Sequence, residues 1–391
     1  MKEEFLLAIS AICSIVMISA CSTEDNPPVW EGNTTSLFVA TDRHEAGNGN
    51  NLAAAIQKVA HRYGIVTPGV VLLGGDYVGS GPDAGETGQP AFTLDDLRSE
   101  IFASLDPNKT EVFFTYGSHD RNCTDGYFAF FSGPHRCNGY YIYGISYAQM
   151  VYATDSLTRA AVALYEEQGD NFNDGNQPPA PDDGNQPTAP NGDNQPAPND
   201  SSESMPMPAS GGLRAYNGID IADPYGISAE SATASFTAWA DTLNDNVPII
   251  VMSHVPIHAS RNDNPGGLRW FNTLSRAAQK HDIVLLFGHN HSLEERGNSS
   301  DSGIYLLAPG DSITVQGDSV QGAQRQQLSF TYANAGYLKL GWCTLLTFND
   351  TDADGHHDYL QLRRFSALGE TSTHFGSTDK PNPWLITLKR N

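Results

Sequence analysis

Ser36-Leu37-Phe38-Val39-Ala40-Thr41 runs directly into Asp42-Arg43-His44, so an apolar stretch of strand length ends on two side chains that can bind a metal. The arrangement recurs along the chain. Gly69-Val70-Val71-Leu72-Leu73 leads to Gly75-Asp76, and Glu111 to Thr115 leads to Gly117-Ser118-His119-Asp120. Pro248 to Met252 leads to Ser253-His254, and Ile283 to Phe287 leads to Gly288-His289-Asn290-His291. Runs this short and this continuously apolar predict strands covered on both faces, since a half-exposed strand would alternate. Helical patterns stand between several of them: Asn51 to Tyr63, with Leu52, Ile56, Val59 and Tyr63 at helical spacing, Ala229 to Leu243, and Leu268 to Lys280. Strands alternating with helices predict an α/β protein. Tyr140 to Ile145 and Ile304 to Leu307 add two strands, and Thr344 to Phe348 with Tyr359 to Phe365 predicts an antiparallel hairpin.

In α/β sheets ligands gather outside the carboxyl ends of the strands, so polar clusters that each follow a strand can converge in space. Residues i and i+2 of an extended chain point the same way. Asp42 with His44, and His289 with His291, can therefore each offer two ligands from one loop. Carboxylate and imidazole together suit zinc, manganese, iron or nickel rather than calcium.

These clusters, in this order, resemble the signature of the calcineurin-like metallophosphoesterase family: Asp-x-His, Gly-Asp, Gly-Asn-His-Asp/Glu, His, and Gly-His-x-His. The match runs from Asp42 to His291, and Tyr332-Ala333-Asn334-Ala335-Gly336-Tyr337 is similar to the family's distal strand region. The resemblance implies a four-layer fold, a two-sheet sandwich flanked by helices. It also implies hydrolysis of a phosphate ester, monoester or diester, with two divalent ions (Mn, Fe, Zn or Ni) as cofactors. By that resemblance Asp42, His44 and His291 would hold the first ion, Asp76 would bridge the two, and His254 and His289 would hold the second. His119 would face the substrate, with Asp120 orienting its ring. A pair of ions clamps the phosphate and activates water at neutral pH. Ser118 stands where the family has Asn, whose amide oxygen reaches the second metal. The shorter hydroxyl would reach it only through water, which predicts a weaker second site. That departure keeps a second reading in play: a surface-anchored binding protein with a degenerate, catalytically weak site.

The rest of the chain speaks to location. Phe5 to Ile18 is an almost continuous apolar run, short for a bilayer span, and Ile18-Ser19-Ala20-Cys21 resembles the lipobox of bacterial lipoproteins, although Glu3 and Glu4 follow Lys2. This predicts a signal peptide over 1–20, a lipid anchor to the membrane on Cys21, a tether over 21–35 and a folded domain over 36–391, exported to the extracytoplasmic side. In an oxidising compartment Cys123 and Cys137 could close a short loop, two free thiols being the alternative, while Cys343 sits in an apolar run and reads as core. Between Glu166 and Ser210 lie nine acidic residues, no Lys or Arg, many prolines and repeats of Asp-Gly-Asn-Gln-Pro type, which predict a disordered insertion in a surface loop. The net charge is −23, from 22 Lys plus Arg against 45 Asp plus Glu. Nucleic-acid backbones are held by clustered cations, so no nucleic-acid partner is expected and a small phosphate ester fits better. Arg121 and Arg261 follow metal clusters and are candidates for touching a substrate phosphate. Asp350-x-Asp352-x-Asp354-Gly355 resembles the opening of a calcium loop, but neutral Gln361 and flanking strands favour a polar hairpin turn.

Overall fold

The computed structural model describes residues 33–44, 47–62, 69–78, 93–120, 130–168, 219, 223–243, 246–258, 264–290, 306–366 and 380–389. The first half contains β1 (Asn33–Ala40), α1 (Asn48–Arg62), β2 (Val70–Leu73), α2 (Leu94–Phe102), β3 (Glu111–Phe114), β4 (Gly133–Arg136), β5 (Tyr141–Ile145), α3 (Tyr147–Val151) and α4 (Asp155–Gln168). Then follow α5 (Ala229–Thr242), β6 (Ile249–Ser253), α6 (Gly267–Ala277), β7 (Ile283–Phe287), β8 (Leu306–Leu307), β9 (Ser312–Val315) and β10 (Gln324–Gln327). The chain ends with β11 (Thr331–Asn334), β12 (Trp342–Asp350), β13 (Tyr359–Ser366) and β14 (Trp384–Thr387).

Two six-stranded sheets form, ordered β14-β13-β12-β1-β2-β3 and β4-β5-β6-β7-β11-β8. In the first, β1, β2 and β3 run parallel while β12 pairs with β1 antiparallel. In the second, β5, β6, β7 and β11 run parallel. Alternation along each strand divides its side chains between two layers. Leu37, Val39, Val70 and Leu72 share a buried cluster with Ile250, Met252, Val284 and Leu286 of the other sheet. Phe38, Ala40, Val71 and Leu73 belong to the cluster that includes Leu52, Ile56 and Val59 of α1 and Leu97 and Ile101 of α2. Both faces are covered, which is why these strands are apolar throughout. The sheets meet closely at their rim: a Cβ on Gly74 would overlap Met252 Cε and force that flexible side chain to turn aside. The predicted two-sheet sandwich flanked by helices is the observed architecture.

Several details differ from the sequence reading. β1 begins at Asn33 rather than Ser36, because the polar Asn33-Thr34-Thr35 pairs with Phe348 to Asp350 through its backbone, which needs no apolar side chain. The hairpin β9–β10 and the edge strand β14 were not predicted; Gln324-Arg325-Gln326-Gln327 of β10 is polar at every position, whereas β9 alternates with Ile313 and Val315 buried and β14 carries Trp384-Leu385-Ile386. Cys137 carries a free thiol, so the expected bridge to Cys123 is not formed, Cys123 itself lying outside the described residues. Burial pushes the Cys137 thiol up to about 11, which keeps it protonated. Cys343 is fully buried, as a core residue should be. β12 and β13 do form an antiparallel hairpin; in its turn Asp350 accepts the N–H groups of Asp354 (3.2 Å) and Gly355 (2.8 Å). The expected signal peptide, the expected tether up to residue 32 and all but the first three positions of the expected acidic insertion lie outside the described residues.

Candidate metal centre

The carboxyl ends of β1, β2, β6 and β7, with the loop after β3, meet at one rim. Backbone bonds lock the loops together. Asp42 N–H donates to Gly75 O (3.0 Å), His44 N–H to Asp76 O (3.1 Å), and Gly288 N–H to His254 O (2.9 Å). Across the sheets, Leu338 and Lys339 donate to Thr41 O (2.9 Å) and Asp42 O (3.2 Å). Of the five described non-glycine residues with positive φ, four are Asp42 (57°), His44 (57°), Asp76 (56°) and His289 (63°). That conformation is sparsely populated away from glycine, costs about 1–3 kcal/mol per residue, and persists where surroundings over-determine it. Here it turns each side chain back over the strand ends.

Six of the predicted residues converge. Ligand atoms of His44, Asp76 and His119 lie within 4.8 Å of one another, and so do those of Asp76, His254 and His289. Asp76 belongs to both groups. Its Oδ2 is 3.1 Å from His254 Nε2 and 3.8 Å from His119 Nε2. His254 Nδ1 meets Gly74 O at 2.8 Å, an acceptor that fixes the proton on Nδ1 and leaves Nε2 for the centre. His289 Nδ1 lies 3.2 Å from that same Nε2. Two imidazole nitrogens facing each other beside a carboxylate need a cation or a proton between them, and this donor set fits a divalent transition metal. Asp42 joins from β1: its Oδ1 is 3.6 Å from His44 Nε2, while Oδ2 accepts from Thr41 Oγ1 (2.8 Å) and His289 N–H (3.0 Å). His291, Arg121 and Arg261 lie outside the described residues.

Burial sharpens the charges. The carboxyl of Asp76 is pushed upward by burial, yet neighbouring His254 overrides this and holds it well below the usual range. Burial works to lower His254, but Asp76, its hydrogen bond and Asp42 raise the imidazole to about 10. His44 is likewise raised: burial opposes, and its hydrogen bond to Asp42 and the charges of Asp76 and Asp42 prevail. His119 goes the other way, lowered by burial with His44 and His254 adding to it against Asp76. It is the most open member, with 32 % of its side chain exposed, and its neutral ring can offer one N–H to a substrate.

One expected contact changes. Asp120 does not orient the His119 ring. Its oxygens accept three backbone N–H groups, from Gly117 (2.6 Å), Asp76 (3.0 Å) and Tyr77 (2.7 Å), so it ties the β2 and β3 loops together. Ser118 Oγ lies 3.1 Å from both oxygens of Asp76, and His119 N–H donates to Oδ1 (2.8 Å). The hydroxyl therefore bonds the carboxylate that belongs to both groups. His258 is fully buried, with Nδ1 2.8 Å from Tyr332 Oη. Sequence reasoning missed Thr41, Tyr337, whose ring lies edge-on to His44, and Asn334, which donates to Asn290 O (3.2 Å). Only Asn334 and Tyr337 had a signal, being part of the Tyr332–Tyr337 stretch.

The calcineurin-like phosphoesterase family model matches residues 35–293, a span that holds every cluster described. The chain belongs to the calcineurin-like phosphoesterase family and is a metal-dependent hydrolase of ester bonds. Among solved structures it is similar to GAP50, the anchor in the inner membrane complex of Plasmodium, at 10% identity and TM-score 0.41, covering 91% of this chain and 90% of that one. A conserved uncharacterised protein of Streptococcus pneumoniae, described as a predicted phosphoesterase, matches at 10% identity and TM-score 0.26, covering 90% and 99%. No curated protein matches.

Proposed function

We propose that the chain hydrolyses a small phosphate ester at a dinuclear metal site in which Asp76 is the shared ligand, and that it does so outside the cytoplasm, tethered through Cys21. The observation that carries the dinuclear reading is the double membership of Asp76, with His44 and His119 on one side and His254 and His289 on the other. Asp42 and His44, joined by His291, would hold one divalent ion, and His254 with His289 the other. Such ions would supply the positive charge that a chain of net charge −23 lacks, polarising the phosphoryl group and activating water. The chain's own part is positioning. His254 is oriented by Gly74 O, Asp42 by Thr41 and the His289 amide, and Asp76 by Ser118 and the His119 amide. His119, lowered and half open, donates a hydrogen bond to a phosphoryl or leaving-group oxygen. The lipobox-like Ile18-Ser19-Ala20-Cys21 supports export and a lipid anchor.

Ser118 favours a second reading, a binding protein with a weakened second site, because its hydroxyl is spent on Asp76. One experiment separates the two. Metal content is measured together with turnover of one phosphomonoester and one phosphodiester, with Mn, Zn, Fe or Ni added. About two ions per chain with turnover, both lost in Asp76→Ala, is the expected result. One ion or none, with no turnover under any condition, would remove the enzyme reading in favour of the binder.

A further inference from the structure

The Asp42–His44 turn is held from behind as well as at the centre. Arg43, between the two expected ligands, is buried, and its guanidinium reaches Tyr77 O (3.0 Å) and Glu100 Oε1 (2.7 Å). Glu100 belongs to α2, yet its carboxylate also accepts the N–H groups of Gly47 (3.0 Å) and Gly49 (2.9 Å) at the start of α1. An acidic group there satisfies otherwise open amides and meets the positive end of the helix. Asn48 Nδ2 closes the same turn on Arg43 O (2.9 Å). Gly49 is what lets the carboxylate in: a Cβ there would overlap Glu100 Oε2 and lie 2.7 Å from Glu100 Cβ and 2.8 Å from Leu97 Cδ1. Tyr77, the other partner of Arg43, follows Asp76 directly, and its N–H is held by Asp120. One buried cation thus links the loop of Asp42 and His44 to the loop of Asp76 and to α2. Both Asp42 and His44 sit at a φ of 57°, a conformation that needs such external restraint.

We propose that Glu100, acting through Arg43, is a positioning residue that holds the Asp42–His44 turn in its left-handed form and so sets how tightly the first metal position closes. This rests on the reading of the site as a metal centre. Neither residue faces the chemistry; the pair acts on ligand geometry, and partners behind a ligand shell typically change metal affinity by about 10–100-fold.

The test is calorimetric titration of the purified, metal-free chain with manganese, repeated with zinc. The variants are Glu100→Gln, the double replacement Arg43→Met with Glu100→Leu, Gly49→Ala, and Asp76→Ala as control. The double replacement strands no buried charge, which preserves folding where a single truncation would not. Gly49→Ala keeps both charges and displaces the carboxylate by one methyl group, giving an independent route. The expected result is a loss of about tenfold or more at one of the two positions in the double variant and in Gly49→Ala. The other position keeps its affinity, while the Tm without metal falls modestly through the lost amide acceptor or the added methyl group, so that a loss confined to one metal position separates positioning from general destabilisation. Glu100→Gln, which retains one accepting oxygen, falls between. Equal affinities at both positions in every variant, with any deficit confined to Tm, would make the network merely structural and overturn the proposal. A wild-type chain that binds neither manganese nor zinc would instead remove the metal centre, and the positioning role with it.

Discussion

Replacing Gly117 by alanine adds one methyl group where two loops of the centre meet backbone to backbone. The new Cβ would fall on the Asp76 backbone nitrogen, 2.6 Å from Asp76 Oδ1 and 2.9 Å from the Gly75 carbonyl carbon. Carbon contacts are comfortable from about 3.5 Å, so the two loops must part by about 1 Å, and neither wall is a flexible side chain. The first bonds to suffer are those of Asp120, whose carboxylate spans the gap between Gly117 N–H (2.6 Å) and Asp76 N–H (3.0 Å). Losing one charge-assisted bond costs about 1.5–3 kcal/mol, and forced overpacking about 1–3 kcal/mol. A total of about 2.5–6 kcal/mol lowers Tm by roughly 5–12 °C at about 2 °C per kcal/mol for a large domain. Activity should fall further. Displacing Asp76 by about 1 Å is expected to cost on the order of 100-fold in turnover. Thermal unfolding of the metal-free variant, with turnover under saturating manganese, checks both numbers. A Gly117→Ala chain with unchanged Tm and turnover would show that the loops are not packed backbone to backbone, and the account of the glycines here would fail.

Asp120→Asn should lower stability by about 1–3 kcal/mol, because an amide NH2 would oppose one of three N–H donors, while the acid limb of the turnover–pH profile stays in place. A shift of that limb would restore Asp120 as a partner of the His119 ring. Ser118→Asn should tighten metal binding at one position by roughly tenfold in a calorimetric titration; an unchanged isotherm would mean the hydroxyl is no handicap. In the metal-free chain His254 is raised from 6.5 to about 10, so the stability it contributes is fully present below about pH 6.5 and lost as pH rises through about 10. Asp76, held low, contributes above the ordinary carboxylate range and loses that stability only in acid. Tm of the metal-free chain should therefore fall between about pH 7 and 10, and manganese affinity should rise over the same interval as the competing proton leaves. A flat Tm across that range in the absence of metal would contradict the charged His254–Asp76 pair.

The strand pattern was legible because strands buried on both faces have no choice of composition: Leu37 to Ala40 and Ile283 to Phe287 must be apolar at every position. The order of Asp42, His44, Asp76, His119, His254 and His289 was legible for a related reason, since ligands that follow parallel strands inherit the rim those strands share. The polar strand β10 was not legible, because its pairing is carried by backbone amides that leave no mark on residue type, while β9, with Ile313 and Val315 in alternation, and β14, with Trp384-Leu385-Ile386, are four-residue strands too short to stand out. Nor was the role of Asp120. Its place in the cluster suggested a partner for His119, whereas three amides from two loops claim both its oxygens, and only proximity across 43 and 44 residues of chain reveals that. The same holds for Glu100, which no motif marks and which meets Arg43 only because α2 docks on the start of α1. The sequence by itself determined the class of fold and the chemistry of the ligands, since both depend on local composition and chain order. Which oxygens face the centre, which face amides, and which backbones are held left-handed were decided by tertiary packing, because those directions are set by groups distant in sequence that share one buried rim.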